Sequence, residues 1–272
     1  MNINKIISSI LEEDNKPKKY NVLFTPRRVV GRFEREFNRI LNILQKEEYY
    51  GDLDLSIIKD FLPDIYDRLR DLGNLKVIYG SLNLEKSKIT NLGNLEKVDV
   101  DLNISYSDIV DLGNLKYVGG SFNANYTKLR TLDPLEGVGD TIDLMGCSNI
   151  TSLGSLERVG GGIYADFAPL SDLGSLKYVG GNLDADHSKL RNLCMLKEVD
   201  GYVSLKNCSR LVSLKPLERI GGDLYLIGSR KVVDLSSLIE VGGGIYVDED
   251  FNVDMSKINN RLRALLLQDH EQ

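Results

Sequence analysis

The sequence predicts an α/β repeat solenoid: a stack of about ten short parallel strands closed by helical N- and C-terminal caps. Three observations predict it. LGNL begins at Leu72, Leu92 and Leu112, and its variants begin at Leu132 (LDPL), Leu153 and Leu173 (LGSL), Leu193 (LCML), Leu214 (LKPL) and Leu235 (LSSL), at steps of 20 or 21 residues. Behind each copy, in fixed register, come a β-branched residue (Ile78, Val98, Val118 and onward), a glycine-rich turn and an alternating apolar pair such as Leu82/Leu84 or Ile163/Ala165. Finally, the 272 residues include 42 Leu and 25 Gly, and 24 of the glycines lie between Gly51 and Gly244. An isolated turn of this kind cannot bury its own apolar face, whereas stacked turns can.

The elements follow in chain order. Residues 1–50 form a helical cap or anchor. Ile6, Ile7, Ile10 and Leu11 mark a first helix, and Asn15–Lys19 is a polar break. A second helix begins after Thr25, an acceptable N-cap, with Pro26 as its first residue. It continues through Val29, Phe33, Phe37, Ile40, Leu41 and Leu44 at helical spacing. The array itself spans 51–250. Its first strand is signalled by Tyr50–Leu55, which matches Tyr79–Leu84, and an amphipathic helix over Ile57–Arg70 lengthens that first repeat. In every later repeat the alternating pair is a strand with one buried face. The glycines before it are expected to supply positive φ in the entering turn. In 251–272, Ile258, Leu262, Leu265 and Leu266 predict a capping helix over Met255–Gln268.

The segment L-x-L-x-x-S-x-I, first seen from Leu82 to Ile89, resembles the leucine-rich repeat, and the glycine spacing also looks like the repeats of receptor L domains. The likeness covers roughly 51–250 and has the look of short phage and bacterial repeats. One position departs. Where the family places a buried Asn, this chain has Ser87, Ser107, Thr127, Cys147 or Ser148, Ala168, Ser188, Cys208 or Ser209, and Ser229 or Arg230. The resemblance implies a strand face that docks a partner. A repeat this short leaves the return path no room for a long helix.

The outward strand residues change character along the array, from Asn83, Asn103 and Asn123 to Asp143, Tyr164, Asp184, Tyr225 and Tyr246. A second outward row contains Asp166 and Asp186, expected abreast on neighbouring strands, and His187 lies just beyond it. Asp143, Tyr164, Asp166, Asp184, Asp186, His187, Tyr225 and Tyr246 are therefore the candidate partner-binding residues. Tyrosine beside carboxylate suits a basic or polar protein. Alternatively, like residues simply tile a stacked sheet. On the return side Lys76, Glu96, Lys116, Glu136, Glu157, Lys177, Lys197 and Glu218 form a row that predicts surface ion-pair ladders, each worth little.

Charge is unevenly placed. The net charge is −6. Residues 16–46 nevertheless carry nine Lys/Arg and two Glu, while residues 71–254 carry 18 Lys/Arg and 26 Asp/Glu. Lys18, Lys19, Arg27, Arg28, Arg32, Arg35 and Arg39 form a candidate anchor to nucleic acid or an acidic protein, or else a solvated face of the cap.

The motifs of catalysis are missing. No P-loop, HExxH, CxxC or GxSxG occurs, and each Gly-Gly step precedes a strand rather than a helix. Cys147, Cys194 and Cys208 have no metal-site spacing. No catalytic residue, metal or cofactor is assigned. The expected function is a non-catalytic interaction or scaffold protein with no membrane span, cytoplasmic or, alternatively, part of a virion. Two alternatives stay open: a structural component docked into a larger assembly, such as a phage particle, through its N-terminal helices, and a nucleic-acid-associated regulator using residues 16–39.

Overall fold

The computed structural model describes residues 35, 38–56, 69–254, 256 and 258–268. It is a solenoid of parallel coils. The front sheet has ten strands, from Leu53–Asp54 through Ile142–Asp143 and Ile163–Tyr164 to Ile245–Tyr246. A second ten-stranded parallel sheet, which the sequence reading lacked, forms the back of each coil, from Glu48–Tyr49 to Glu240–Val241. Its strands are two residues long, such as Lys97–Val98, with one residue outside and one buried. The lone β-branched residue of each repeat is therefore the inward half of a strand. Along the third side, isolated parallel bridges link successive coils at Asn91–Asp111, Thr131–Ser152, Ser152–Asp172 and Ser213–Asp234. No helix interrupts the coils between residues 69 and 254.

Every step of the register places a residue beside its counterpart one repeat away. Ile142 pairs with Ile163, and Asp143 with Tyr164. Each coil thus sends the same positions inward. Leu153, Leu156, Val159, Ile163, Ala165, Ala168 and Leu170 of one coil are all fully buried. No coil could bury this set alone, and the neighbours on both sides complete the core. The ends are closed by apolar side chains. Ile43 and Leu44, at the end of helical residues 38–44, are buried at the first coil. Ile258, Leu262 and Leu266 are buried at the last, where the helix Asn260–Gln268 contacts the final strands of both sheets. The predicted helices over residues 1–34 and 57–68 lie outside the described residues.

The polar position of the repeat resolves as an internal ladder. Ser107, Thr127, Cys147, Ser188, Cys208 and Ser229 are buried at this position, beside the apolar Ala168. Their side chains return hydrogen bonds to strand-end carbonyls: Ser107 to Ile104 (2.6 Å), Thr127 to Ala124 (2.8 Å) and Cys147 also to Ala124 (3.0 Å). Ser229 donates to the Leu205 carbonyl and accepts from the Cys208 amide at 2.8 Å. Small hydroxyl and thiol groups thus satisfy the backbone at a corner too tight for a longer side chain.

The glycines before the front strand do not work as expected. Gly119, Gly139, Gly160 and Gly180 are absent from the positive-φ positions. Their requirement is space: a Cβ on any of them would overlap the backbone carbonyl of the coil before. Positive φ occurs instead in the LGNL-type turns, at Gly73, Gly93, Gly113, Gly154 and Gly174, and at the corner after the front strand. The ion-pair ladder forms as the alternating signs predict, with Lys76–Glu47 at 3.1 Å, Lys177–Glu157 at 3.0 Å and Lys197–Glu218 at 3.5 Å.

Candidate functional site

The front sheet carries the candidate site, but its strand-centre row is less outward than alternation implies. Asn83, Asn103, Asn123, Asp143 and Asp184 are all partly buried. Each Oδ1 accepts the backbone N–H two residues on, at 3.1, 3.0, 3.1, 3.1 and 3.3 Å respectively. The Asn-rich half of this row is therefore accounted for by turn formation at the strand end. Asp143, Tyr164 and Asp184 do lie abreast, so two carboxylates flank one tyrosine.

Asp186 is a correction to the expected outward pair with Asp166. It is only 9% exposed. Its Oδ1 accepts from Ser204 Oγ and the Lys206 amide, both at 2.7 Å, and Lys206 Nζ lies 3.6 Å from its other oxygen. The chain turns just past the strand, which swings this carboxylate toward the next coil instead of solvent. Asp166 stays accessible and meets His187 Nδ1 at 3.3 Å.

Burial first, and then the Asp186 carboxylate, hold the Asp184 carboxyl above the usual aspartate range. A carboxyl raised on folding favours the protein only while protonated. Its contribution is present below the unfolded value of about 4 and is lost as pH rises through the folded value. Asp184→Asn keeps the Oδ1 acceptor and removes the charge. It should therefore raise the melting temperature at pH 7 and leave it near wild type at pH 3. Thermal unfolding at the two pH values checks this, and a lower melting temperature at pH 7 would contradict it.

The most exposed feature is the corner row that follows the strand. Lys86, Tyr106, Tyr126, Phe167, His187 and Asn207 all hold φ between 56° and 60°, with Gly146 and Gly228 at 71° and 80°. This left-handed corner projects the side chains from the coil and aligns them along the solenoid. Tyr106 stacks on Tyr126 with centroids 4.8 Å apart, and Phe167 on His187 at 4.3 Å. Tyr106, Tyr126 and Phe167 are 54, 49 and 65% exposed. Large aromatics at this exposure are unusual without a partner. The sequence signal for them was position, since each stands immediately before the small ladder residue.

Tyr225 and Tyr246 form a separate cluster at the C-terminal end. They stack at 4.7 Å, Tyr202 meets Tyr225 edge-on at 6.1 Å, and Lys206 Nζ lies 5.0 Å from the Tyr225 ring centre. The predicted site thus divides into a central acidic-aromatic region and a C-terminal tyrosine group, with Lys206 between them.

Of the predicted basic anchor, Lys18, Lys19, Arg27, Arg28 and Arg32 lie outside the described residues. Arg35 and Arg39 line a concavity of about 400 Å³ with Asn38, Asn42, Ile43, Lys46 and Tyr49. Arg39 donates to the Tyr49 hydroxyl at 3.3 Å.

The thiols are poorly disposed for nucleophilic work. Burial is the leading influence that pushes Cys147, Cys194 and Cys208 upward, and Cys194 also donates to the Asp172 carboxylate at 3.1 Å. Among the described residues no group of three His, Cys, Asp or Glu is placed to hold a metal ion, and no helix is long and apolar enough to cross a membrane. Comparison with protein-family models, with curated proteins and with solved structures finds no match.

Proposed function

We propose that this chain is a non-catalytic recognition or scaffold protein whose front face binds a basic protein partner. The observation that carries the reading is the exposed aromatic corner row, Tyr106, Tyr126 and Phe167, beside the carboxylates of Asp143 and Asp166. Stacked rings offer contact area whose conformational entropy is already spent, and the acids bias the partner toward positive charge. The likeness of the repeat to leucine-rich repeats supports the same face, because partners dock on the strands in that family. Capture from the native source by the full chain, wild type against an Asp143→Asn/Asp166→Lys variant, tests the reading. Loss of the captured protein in the variant supports it, and unchanged capture moves the site elsewhere.

A second reading is favoured by the basic concavity of Arg35, Arg39 and Lys46. There the N-terminal segment anchors the rod to a larger assembly, such as a virion, or to nucleic acid. Salt-dependent binding of a polyanion by the full chain would favour it.

A further inference from the structure

The aromatic corner row is interrupted once at its centre. Tyr106 and Tyr126 form one stack, and Phe167 and His187 form the next. The coil between them has Gly146 at the corner, with no side chain to continue the row. Tyr126 leans over this glycine, since a Cβ there would lie 2.5 Å from ring carbons Cδ1 and Cε1. Phe167 stands two coils from Tyr126, and at about 4.8 Å per coil the rings are separated by roughly 9–10 Å along the sheet. A cation midway between them lies within the reach of about 6 Å over which a ring face attracts positive charge.

The surroundings define what kind of cation. Met145, beside the gap, is 45% exposed and offers an apolar edge. Asp166, preceding Phe167, keeps its carboxylate accessible. Asn125, preceding Tyr126, has a buried Oδ1 that receives no hydrogen bond among the described residues. Two ring faces, a carboxylate and a spare carbonyl acceptor call for a flat cation with several N–H donors. An ammonium supplies the charge but no plane to stack; a guanidinium supplies both. The chain uses the same pairing elsewhere, with the Arg158 guanidinium 4.6 Å from the Tyr178 ring centre.

We propose that the gap over Gly146 is a notch for an arginine side chain of the partner, held between Tyr126 and Phe167 and paired with Asp166. The proposal rests on the front-face reading and narrows it to arginine-bearing segments.

Titration calorimetry of the full chain with hexa-arginine and hexa-lysine peptides at 0.15 M salt tests it. Hexa-arginine should bind at least tenfold more tightly. Phe167→Ala, at an exposed position, and Gly146→Asn, which tolerates positive φ and fills the gap, both conserve charge. Each should weaken hexa-arginine at least fivefold and leave hexa-lysine unchanged. Asp166→Lys should weaken both peptides. Equal binding of the two peptides, or hexa-arginine affinity unmoved by Phe167→Ala, would overturn the notch. If Asp166→Lys still weakened both peptides, the front-face reading would survive that failure; if it changed neither, both readings would fall.

Discussion

Gly174→Val is expected to destabilise the protein by about 3–5 kcal/mol, the sum of two separate costs. Gly174 has φ +58°, where an L-residue meets its own carbonyl and a β-branched one is worst placed. Its Cβ would also overlap the carbonyl oxygen, nitrogen and carbon of Gly154 in the coil before. Neither backbone is free to retreat, because the Gly154 carbonyl accepts the Ser175 amide at 2.9 Å across that contact. One coil later the same turn holds Cys194 at φ 55°. That residue is unbranched at Cβ, and its thiol bonds to Asp172, compensations that valine lacks. Gly137 is the control. A Cβ there meets nothing closer than 3.5 Å, so Gly137→Ala should change stability by about 0.5 kcal/mol or less. Urea unfolding of the full chain measures both, and equal midpoints for the two variants would contradict the close-stacking account.

The Asp143→Asn/Asp166→Lys variant should lower partner affinity on the order of 100-fold, because it puts like charge where a basic partner sits. Both substitutions spare the fold. Asp143 Oδ1 accepts the Met145 amide and Oδ2 accepts Asn125 Nδ2. Asn retains the first acceptor, and its new N–H₂ can donate to Asn125 Oδ1 once the Asn125 amide turns over. Asp166 contacts only the His187 ring, at the surface. Reversing Asp186, which the sequence alone suggests equally, would break the buried bonds to Ser204 and Lys206 and confuse misfolding with lost binding. The measurement is the dissociation constant of the captured partner at two salt concentrations. An affinity equal to wild type at both would remove the acidic residues from the interface.

The interior was legible from the repeat because it depends only on period. Leu153, Leu156, Val159, Ile163 and Ala165 each recur in register, and all are fully buried. The back sheet was not legible, because a strand of two residues with a single inward side chain leaves no alternation to detect. The Val-Gly-Gly glycines were misread for a related reason. A sequence shows that glycine is required but not whether conformation or space requires it, and here the neighbouring carbonyl decides. The candidate face was legible as a row of residue types. Which acids stay outside was not, since Asp166 and Asp186 occupy equivalent repeat positions and differ through Ser204 and Lys206, contributed by the following coil. The aromatic stacks depend on a left-handed corner that no residue preference announces, as Tyr, Phe and His all hold it.

The front face as the recognition surface is the central claim, and site-specific photo-crosslinking tests it most directly. A photoreactive residue is placed in the full chain either at Met145 on the front or at Tyr117 on the back sheet; both positions are exposed. Irradiation in the native extract should give one discrete adduct from position 145 and none from position 117. An adduct from position 117 with none from position 145 would contradict the claim.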